Sequence, residues 1–246
     1  MDIQKTYLKQ AHLFINSSII VLIPAIILIV FILTSLNKSI ILLIIPFLIY
    51  SIYLFQSFLL SYKRYLKVGK RLEKMTFKKN DFISDLRFFL YKDQEAKELL
   101  LFHASGVVLA KFMKKKMKPF SNQFFPSEII LVDESEKVLA SYFIKDGVID
   151  VYQSENGYIG SFSSENGELL GLSGIIIGVL KKKMIFTDDR IINENGRSIF
   201  RIQKGWMPLE SQKLFLNPNT PMLTLSSNLP ENEKLLCFSA IVKRYF

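Results

Sequence analysis

The sequence predicts a membrane-anchored α+β chain, in which an N-terminal two-helix transmembrane hairpin precedes a separate domain of antiparallel β-hairpins. Three observations predict it. Leu13 to Tyr62 spans fifty positions and carries one charge, Lys38. From about Asn80 the long apolar runs give way to short ones punctuated by Asn-Gly and Asp-Gly pairs. The chain closes on an apolar stretch, Leu235 to Val242, that no hairpin pattern accommodates.

The hairpin comes first. Its arms, Leu13 to Leu36 and Ile40 to Tyr62, each exceed the roughly 20 apolar residues needed to cross a bilayer core of about 30 Å. A secretory signal has a shorter apolar stretch, ends at a small-residue cleavage site and leads into hydrophilic protein. Here the first arm leads into a second one. A soluble core is also a poor account, because helices of this length in such a core keep a polar face. Lys and Arg set the orientation. Lys5 and Lys9 precede the first arm, Lys38 alone lies in the tip Asn37-Lys38-Ser39, and eight basic residues follow the second arm by Lys79. The expected placement is the cell membrane, multi-pass, with both termini cytoplasmic and Tyr62 and Tyr65 at the inner headgroup level. The spans hold no Asp, Glu, Arg or His, and no Lys outside the tip, so an ion path or proton relay has no groups to use. Pro24 and Pro46 are candidate kinks, and Ser57 with Ser61 a candidate small-residue contact.

Basicity is concentrated in two tracts. Residues 63–79 hold eight basic residues and one acid, Glu73, and residues 111–118 hold five lysines and no acid; these carry +7 and +5, whereas the whole chain carries +10. The rest is therefore slightly acidic. On a helical wheel, Tyr62, Leu66, Val68, Leu72 and Met75 fall on one half around Tyr65, with Lys63, Arg64, Lys67, Lys70, Arg71 and Lys74 opposite. Such a helix is expected to turn and lie on the inner leaflet, where each cation near anionic lipid contributes about 1 kcal/mol. A solvated continuation of the span is the alternative. In the second tract, Lys111, Lys114, Lys115, Lys116 and Lys118 interleave with Phe112, Met113, Met117 and Phe120, a pattern that suits either a lipid-facing loop or a solvated one. Nucleic acid is the competing anion, disfavoured by the lack of arginine in the tract and by the membrane tether. Lys181 to Lys183 form a shorter run. The expected organisation is thus 1–62 hairpin, 63–79 basic juxtamembrane helix and 80–246 cytosolic β-domain.

In that β-domain, Asn156-Gly157, Asn166-Gly167 and Asn195-Gly196 are each preceded by Glu. Asn-Gly between apolar runs predicts a two-residue type I′ turn, since both central positions need positive φ. This register sets Val151 opposite Phe162 and Ile191 opposite Phe200. Asp146-Gly147 marks a further hairpin, and the spacing of turn signals argues a continuous antiparallel meander. Residues 80–125 read equally as helix or strand. The terminal Leu235–Val242 has acids before it, Glu231 and Glu233, and bases after it, Lys243 and Arg244, which suits a helix dipole. Apolar around its circumference, it needs burial on all sides, as inside a closed barrel; a buried final strand is the alternative.

The repeated hairpins VYQSENGYIGSF and IINENGRSIFRI, followed by the apolar terminal segment, resemble the tubby C-terminal-like superfamily, which includes LURP-one-related proteins and phospholipid scramblases. The resemblance covers about 126–246, extending at most to 80–246, and rests on pattern rather than on an invariant motif. It implies a closed antiparallel barrel threaded by Leu235–Val242, a membrane-anchored member from Gram-positive bacteria related to Bacillus, and a family in which basic residues bind phosphoinositides. No motif carries individual ligands onto this chain.

Material for catalysis is sparse. With His12, His103 and a single cysteine, Cys237, a Cys/His zinc cluster is excluded on count. Cys237 in the apolar terminus reads as an inert buried thiol. Asp188 and Asp189 are adjacent and point to opposite faces of a strand. Gly171, Gly174 and Gly178 lack the Lys-Ser/Thr of a phosphate loop and read as strand glycines. The expectation is a non-enzymatic binding module without cofactor or metal. It is displayed at the inner leaflet and binds anionic phospholipid or a membrane partner through the two lysine-rich tracts. Envelope defence against a membrane-active peptide or toxin is the alternative, and scramblase-like lipid handling a third. The sequence names no protein partner.

Overall fold

The computed structural model describes residues 2–35, 41–72, 87–93, 97–115, 127–182, 188–205, 207–209, 211–217 and 219–246. The chain divides into two compact units, Met1–Thr76 and Phe77–Phe246, and each is described by itself.

The first unit is a pair of helices, α1 (Ile3–Ser35) and α2 (Ile41–Leu72). At about 1.5 Å per residue each approaches 50 Å, longer than a bilayer core, so each outruns its apolar arm by about ten residues at the chain-end side. Their surfaces are apolar and open: Leu33 and Leu42 are each 72% exposed, the reverse of what a soluble core helix shows. Lipid is the solvent that such a surface fits. Small residues at heptad spacing, Ala11, Ser18 and Ala25, are buried along α1, as are Ile44, Ser51, Leu54, Ser61 and Val68 along α2. The Ser18 and Ser51 hydroxyls lie 2.9 Å apart, and each also donates to the other residue's carbonyl, at 3.0 and 3.2 Å. Of the expected pair Ser57 and Ser61, Ser61 is buried in the packed face together with Ser51, whereas Ser57 donates back to Tyr53 O in its own helix. Pro24 and Pro46 lie inside the helices without ending them. The tip 37–39 lies outside the described residues.

The second unit is a closed antiparallel barrel. Its strands are β1 (Arg87–Asp93), β2 (Glu98–His103), β3 (Val108–Lys114), β4 (Ser127–Asp133), β5 (Val138–Lys145), β6 (Val148–Gln153), β7 (Gly157–Ser163), β8 (Glu168–Gly171), β9 (Ile176–Lys181), β10 (Asp188–Ile192), β11 (Ser198–Gln203) and β12 (Met222–Leu225). Each pairs with the next, and β1 closes on β12 with Phe88 opposite Leu223. Residues 87–114, open to either reading from sequence, are therefore three strands. Alternate residues point inward, as with Ile129 and Leu131, Ala140 and Tyr142, and Ile149 and Val151.

A barrel of this strand number is too wide for wall side chains to fill, and the terminal segment fills it. It forms two short helices, α3 (Glu231–Cys237) and α4 (Ser239–Tyr245), with every residue from Lys234 to Val242 buried. The expected single helix is thus divided at Phe238. Ser239 Oγ donates to Leu236 O at 2.7 Å, satisfying a carbonyl at the break. Phe238 meets Phe88 and Phe112 edge-on at centroid distances of 6.4 and 6.0 Å. From the wall, buried Tyr142 donates its hydroxyl to Leu235 O at 2.9 Å. Arg244 pairs with Asp189, and Lys243 donates to Ser164 O with its ammonium 5.4 Å from the Phe162 ring centre.

The turns correct the type I′ expectation. At Asn156-Gly157, Asn166-Gly167 and Asn195-Gly196 the positive φ belongs to the glycine alone. Four hairpins, 103–107, 133–137, 171–175 and 193–197, share one geometry. The first residue's N–H donates to the fifth carbonyl, the fourth N–H donates to the first carbonyl, and the fourth residue has φ of 65–85°. This is a type I turn closed by a left-handed residue, the three-residue hairpin loop. The longer loop after Gln153 and a bulge at Val151/Tyr152 overturn the Val151–Phe162 pairing, leaving Val151 opposite Gly160 and Ile149 opposite Phe162. Ile191 does oppose Phe200. Among the described residues the one two-residue turn with both φ positive is Asp146-Gly147, at 48° and 79°. Gly174 is a turn residue rather than a strand glycine, whereas Gly178 is in β9, where a Cβ would come within 2.7 Å of Ile191 Cγ2.

Candidate functional site

The basic residues singled out from sequence fall on two elements. Lys63, Arg64, Lys67, Lys70 and Arg71 occupy the last turns of α2, which runs through Tyr62 without a break, so residues 63–72 continue the second apolar helix instead of forming a helix of their own. The buried residues there, Ser61 and Val68, lie on the apolar half of the wheel, while Tyr62 and Leu66 on the same half stay exposed, so only part of that half is packed. Lys74 lies outside the described residues.

The second tract begins as strand β3, not as a loop. Phe112 points into the barrel core and is fully buried, so it cannot enter a headgroup layer. Lys111 faces outward, with its ammonium 2.9 Å from Glu136 and 3.9 Å from Glu98. Lys115 pairs with Glu128 at 2.9 Å. Two of the three described lysines are thus neutralised locally, and Lys114 is exposed. Lys116 and Lys118 lie outside the described residues.

Strand register assembles a cationic row that charge counting along the sequence misses. Lys181 on β9 opposes Arg190 on β10, Arg190 opposes Arg201 on β11, Arg201 opposes Thr224 on β12, and Thr224 opposes Arg87 on β1. All alternate with core residues, among them Ile191, Ile202, Leu223 and Phe88, and so point outward. At about 4.8 Å per strand the row is roughly 19 Å long. Like charges directly opposite each other are unfavourable. One carboxylate offsets part of this: Asp188 accepts from Arg190 Nε and Nη2 at 3.0 and 2.6 Å and from Arg201 Nε and Nη2 at 2.6 and 3.2 Å. The hydrogen bonds from Arg190, then Arg201, hold the Asp188 carboxyl well below the usual carboxylate range. Among the described residues, four cations stand against one carboxylate, an excess of about three charges, and Arg87 and Lys181, at the ends, are exposed. Arg190 opposite Arg201 is the register expected of Asn195-Gly196, restored by the bulge at Ile191/Ile192; Lys181 and Arg87 arrive by ladders that local sequence does not specify.

Residues with chemical potential elsewhere are engaged structurally. Cys237 is fully buried, and desolvation pushes its thiol well above the usual range. His103 Nδ1 lies 2.7 Å from Ser105 Oγ at the β2–β3 turn. Asp188 and Asp189 do point to opposite faces, one to the outer row and one to Arg244. Among the described residues no group of three or more His, Cys, Asp or Glu could hold a metal ion.

No family model and no curated protein matches the chain. An X-ray structure of a protein from Arabidopsis thaliana aligns over 68% of this chain and 97% of its own length, at 8% identity and a TM-score of 0.39. The barrel rests on its own ladders and not on that likeness.

Proposed function

We propose that this protein is a non-enzymatic, membrane-anchored binding module, held in the cell membrane with both termini cytoplasmic, whose barrel binds anionic phospholipid at the inner leaflet. The observation that carries this is the outward row Lys181, Arg190, Arg201 and Arg87, with its single carboxylate, on a chain whose apolar hairpin fits a bilayer. A row of like charges weakens a sheet, and an anionic surface supplies the missing counter-charge. The basic end of α2 adds cations of the same kind. Membership of the tubby C-terminal-like superfamily is part of the proposal, supported by the closed barrel and the helical terminus inside it.

The test uses the full-length protein in zwitterionic nanodiscs, mixed with vesicles containing anionic phospholipid across a salt series. Replacing Arg87 and Lys181 with Gln removes two cations, worth about 1 kcal/mol each near the surface, so binding should weaken by roughly 10- to 30-fold. Replacing Lys111 and Lys115 with Gln should change little, because both are already ion-paired. Binding indifferent to salt, or equal in the two variants, overturns the assignment.

A further inference from the structure

We propose that a groove at one end of the barrel, distinct from the cationic row, binds a cationic amphipathic peptide segment, one that carries Lys or Arg beside apolar anchors. Two adjoining clefts of about 240 and 570 Å³ share Ile159, Leu172 and Asn232 and so form one groove between the β8–β9 hairpin and α3. Its combined size is that of a ligand site. The floor is apolar, from Ile159, Ile177 and Leu236, and the hairpin tip adds Leu172 and Ile175, exposed by 72% and 63%. Large aliphatic side chains this open, on a turn whose geometry needs no apolar residue, mark an interaction surface rather than a core. At the far end Tyr158 continues the groove onto an exposed aromatic ladder, with Tyr158 edge-on to Tyr152 and Tyr152 edge-on to Phe143, both at 5.3 Å.

Charge selects the occupant. Glu231 and Glu233 line the groove, and among the described residues no Lys or Arg does. That local balance runs against the chain as a whole, which carries +10. An anionic lipid surface or nucleic acid would meet two carboxylates beside the apolar floor. A peptide with Lys or Arg flanking Leu-like anchors meets complementary groups in both respects. Asn156, Gln153 and Asn232 supply amide donors and acceptors for its backbone.

The experiment measures binding of a fluorescently labelled peptide of about ten residues alternating Lys and Leu. The partner is the full-length protein in zwitterionic nanodiscs, and empty nanodiscs serve as the blank. Replacing Leu172 and Ile175 with Ser, both outside the core, should weaken binding by about 10- to 100-fold. Replacing Glu231 and Glu233 with Gln should weaken it about 5- to 10-fold and flatten its salt dependence. Near-UV circular dichroism checks that each variant keeps the barrel. The proposal is overturned if the same peptide with Glu for Lys binds as well, if both double variants bind like wild type, or if empty nanodiscs account for the signal. Because no residue of the cationic row is touched, this result and the vesicle result fail or succeed independently.

Discussion

Truncating Phe238 tests the placement of the terminal helices inside the barrel. Its ring is 1% exposed and sits at the α3–α4 junction, edge-on to Phe88 of β1 and Phe112 of β3. Phe238→Ala removes the buried ring and both aromatic contacts, and strands on all sides resist collapse into the vacated space. Changes of this type cost about 3–5 kcal/mol, within which each aromatic pair accounts for about 0.5–1.5 kcal/mol. For a folded unit of roughly 170 residues, about 2–4 °C is lost per kcal/mol, so a cost of about 4 kcal/mol lowers Tm by roughly 8–16 °C. The assay is thermal unfolding of the full chain in detergent, followed in the near-UV, where packed aromatic rings report. Phe246→Ala, at a residue 42% exposed beyond the plug, is the control and should move Tm by less than about 2 °C. If Phe238→Ala melts with wild type, the terminal segment is not the barrel's core.

Two glycines separate steric from conformational cost. In Gly160→Ala the new Cβ would fall 2.2 Å from Leu170 O, breaking the β7–β8 ladder and the fold; Gly196→Ala meets no atom within 4 Å and should lose only the left-handed backbone penalty of about 1–2 kcal/mol, as denaturant titrations will show. Asp188→Asn should destabilise the barrel by about 1–3 kcal/mol at pH 7 while strengthening anionic-vesicle binding, since it removes the row's one negative charge. The Asp188 carboxyl is depressed in the fold, so its contribution is complete above the unfolded value near 3.9 and fades as pH falls toward the folded one. The gap between wild type and variant should therefore narrow below about pH 4; a gap that is unchanged or wider at pH 3 contradicts the Arg190–Asp188–Arg201 cluster. In the hairpin, a double-mutant cycle with Ser18→Ala and Ser51→Ala should return a coupling of roughly 0.6 kcal/mol, and a coupling of zero refutes the reciprocal hydrogen bonds.

The parts legible in the sequence are those that local chemistry determines. Fifty positions with one charge can be read without a fold, and so can an apolar octet with acids before and bases after it. Ile191 does face Phe200 as expected, but by another route: the turn pairs Ile192 with Ser198, one residue off the two-residue register, and the bulge at Ile191/Ile192 restores it. Legibility failed where one local rule had two outcomes. Asn-Gly serves the type I′ turn and also loops in which the glycine alone is left-handed; here the ladder runs out to Gln153 opposite Gly157, and with the bulge at Val151/Tyr152 the net shift is two residues, so Val151 meets Gly160 and not Phe162. Phe112 among lysines has the pattern of a membrane-inserting loop residue, but strand periodicity along β3 sends it inward while Lys111 meets Glu136. The cationic row was beyond sequence for a different reason. Lys181 and Arg87 are 94 positions apart and become the two ends of one row only when the barrel closes through β12.

Whether a two-span hairpin holds the barrel on the cytoplasmic side of the cell membrane is decided by vectorial labelling in intact cells. Native Cys237 is buried and should stay silent in the folded protein. Single Lys38→Cys and Lys114→Cys variants would be treated with a membrane-impermeant maleimide before and after permeabilisation, with alkaline extraction alongside. With the proposed topology, Lys38→Cys labels in intact cells, Lys114→Cys labels only after permeabilisation, and alkali leaves both in the membrane. Release by alkali, or labelling of both positions from the same side, contradicts it.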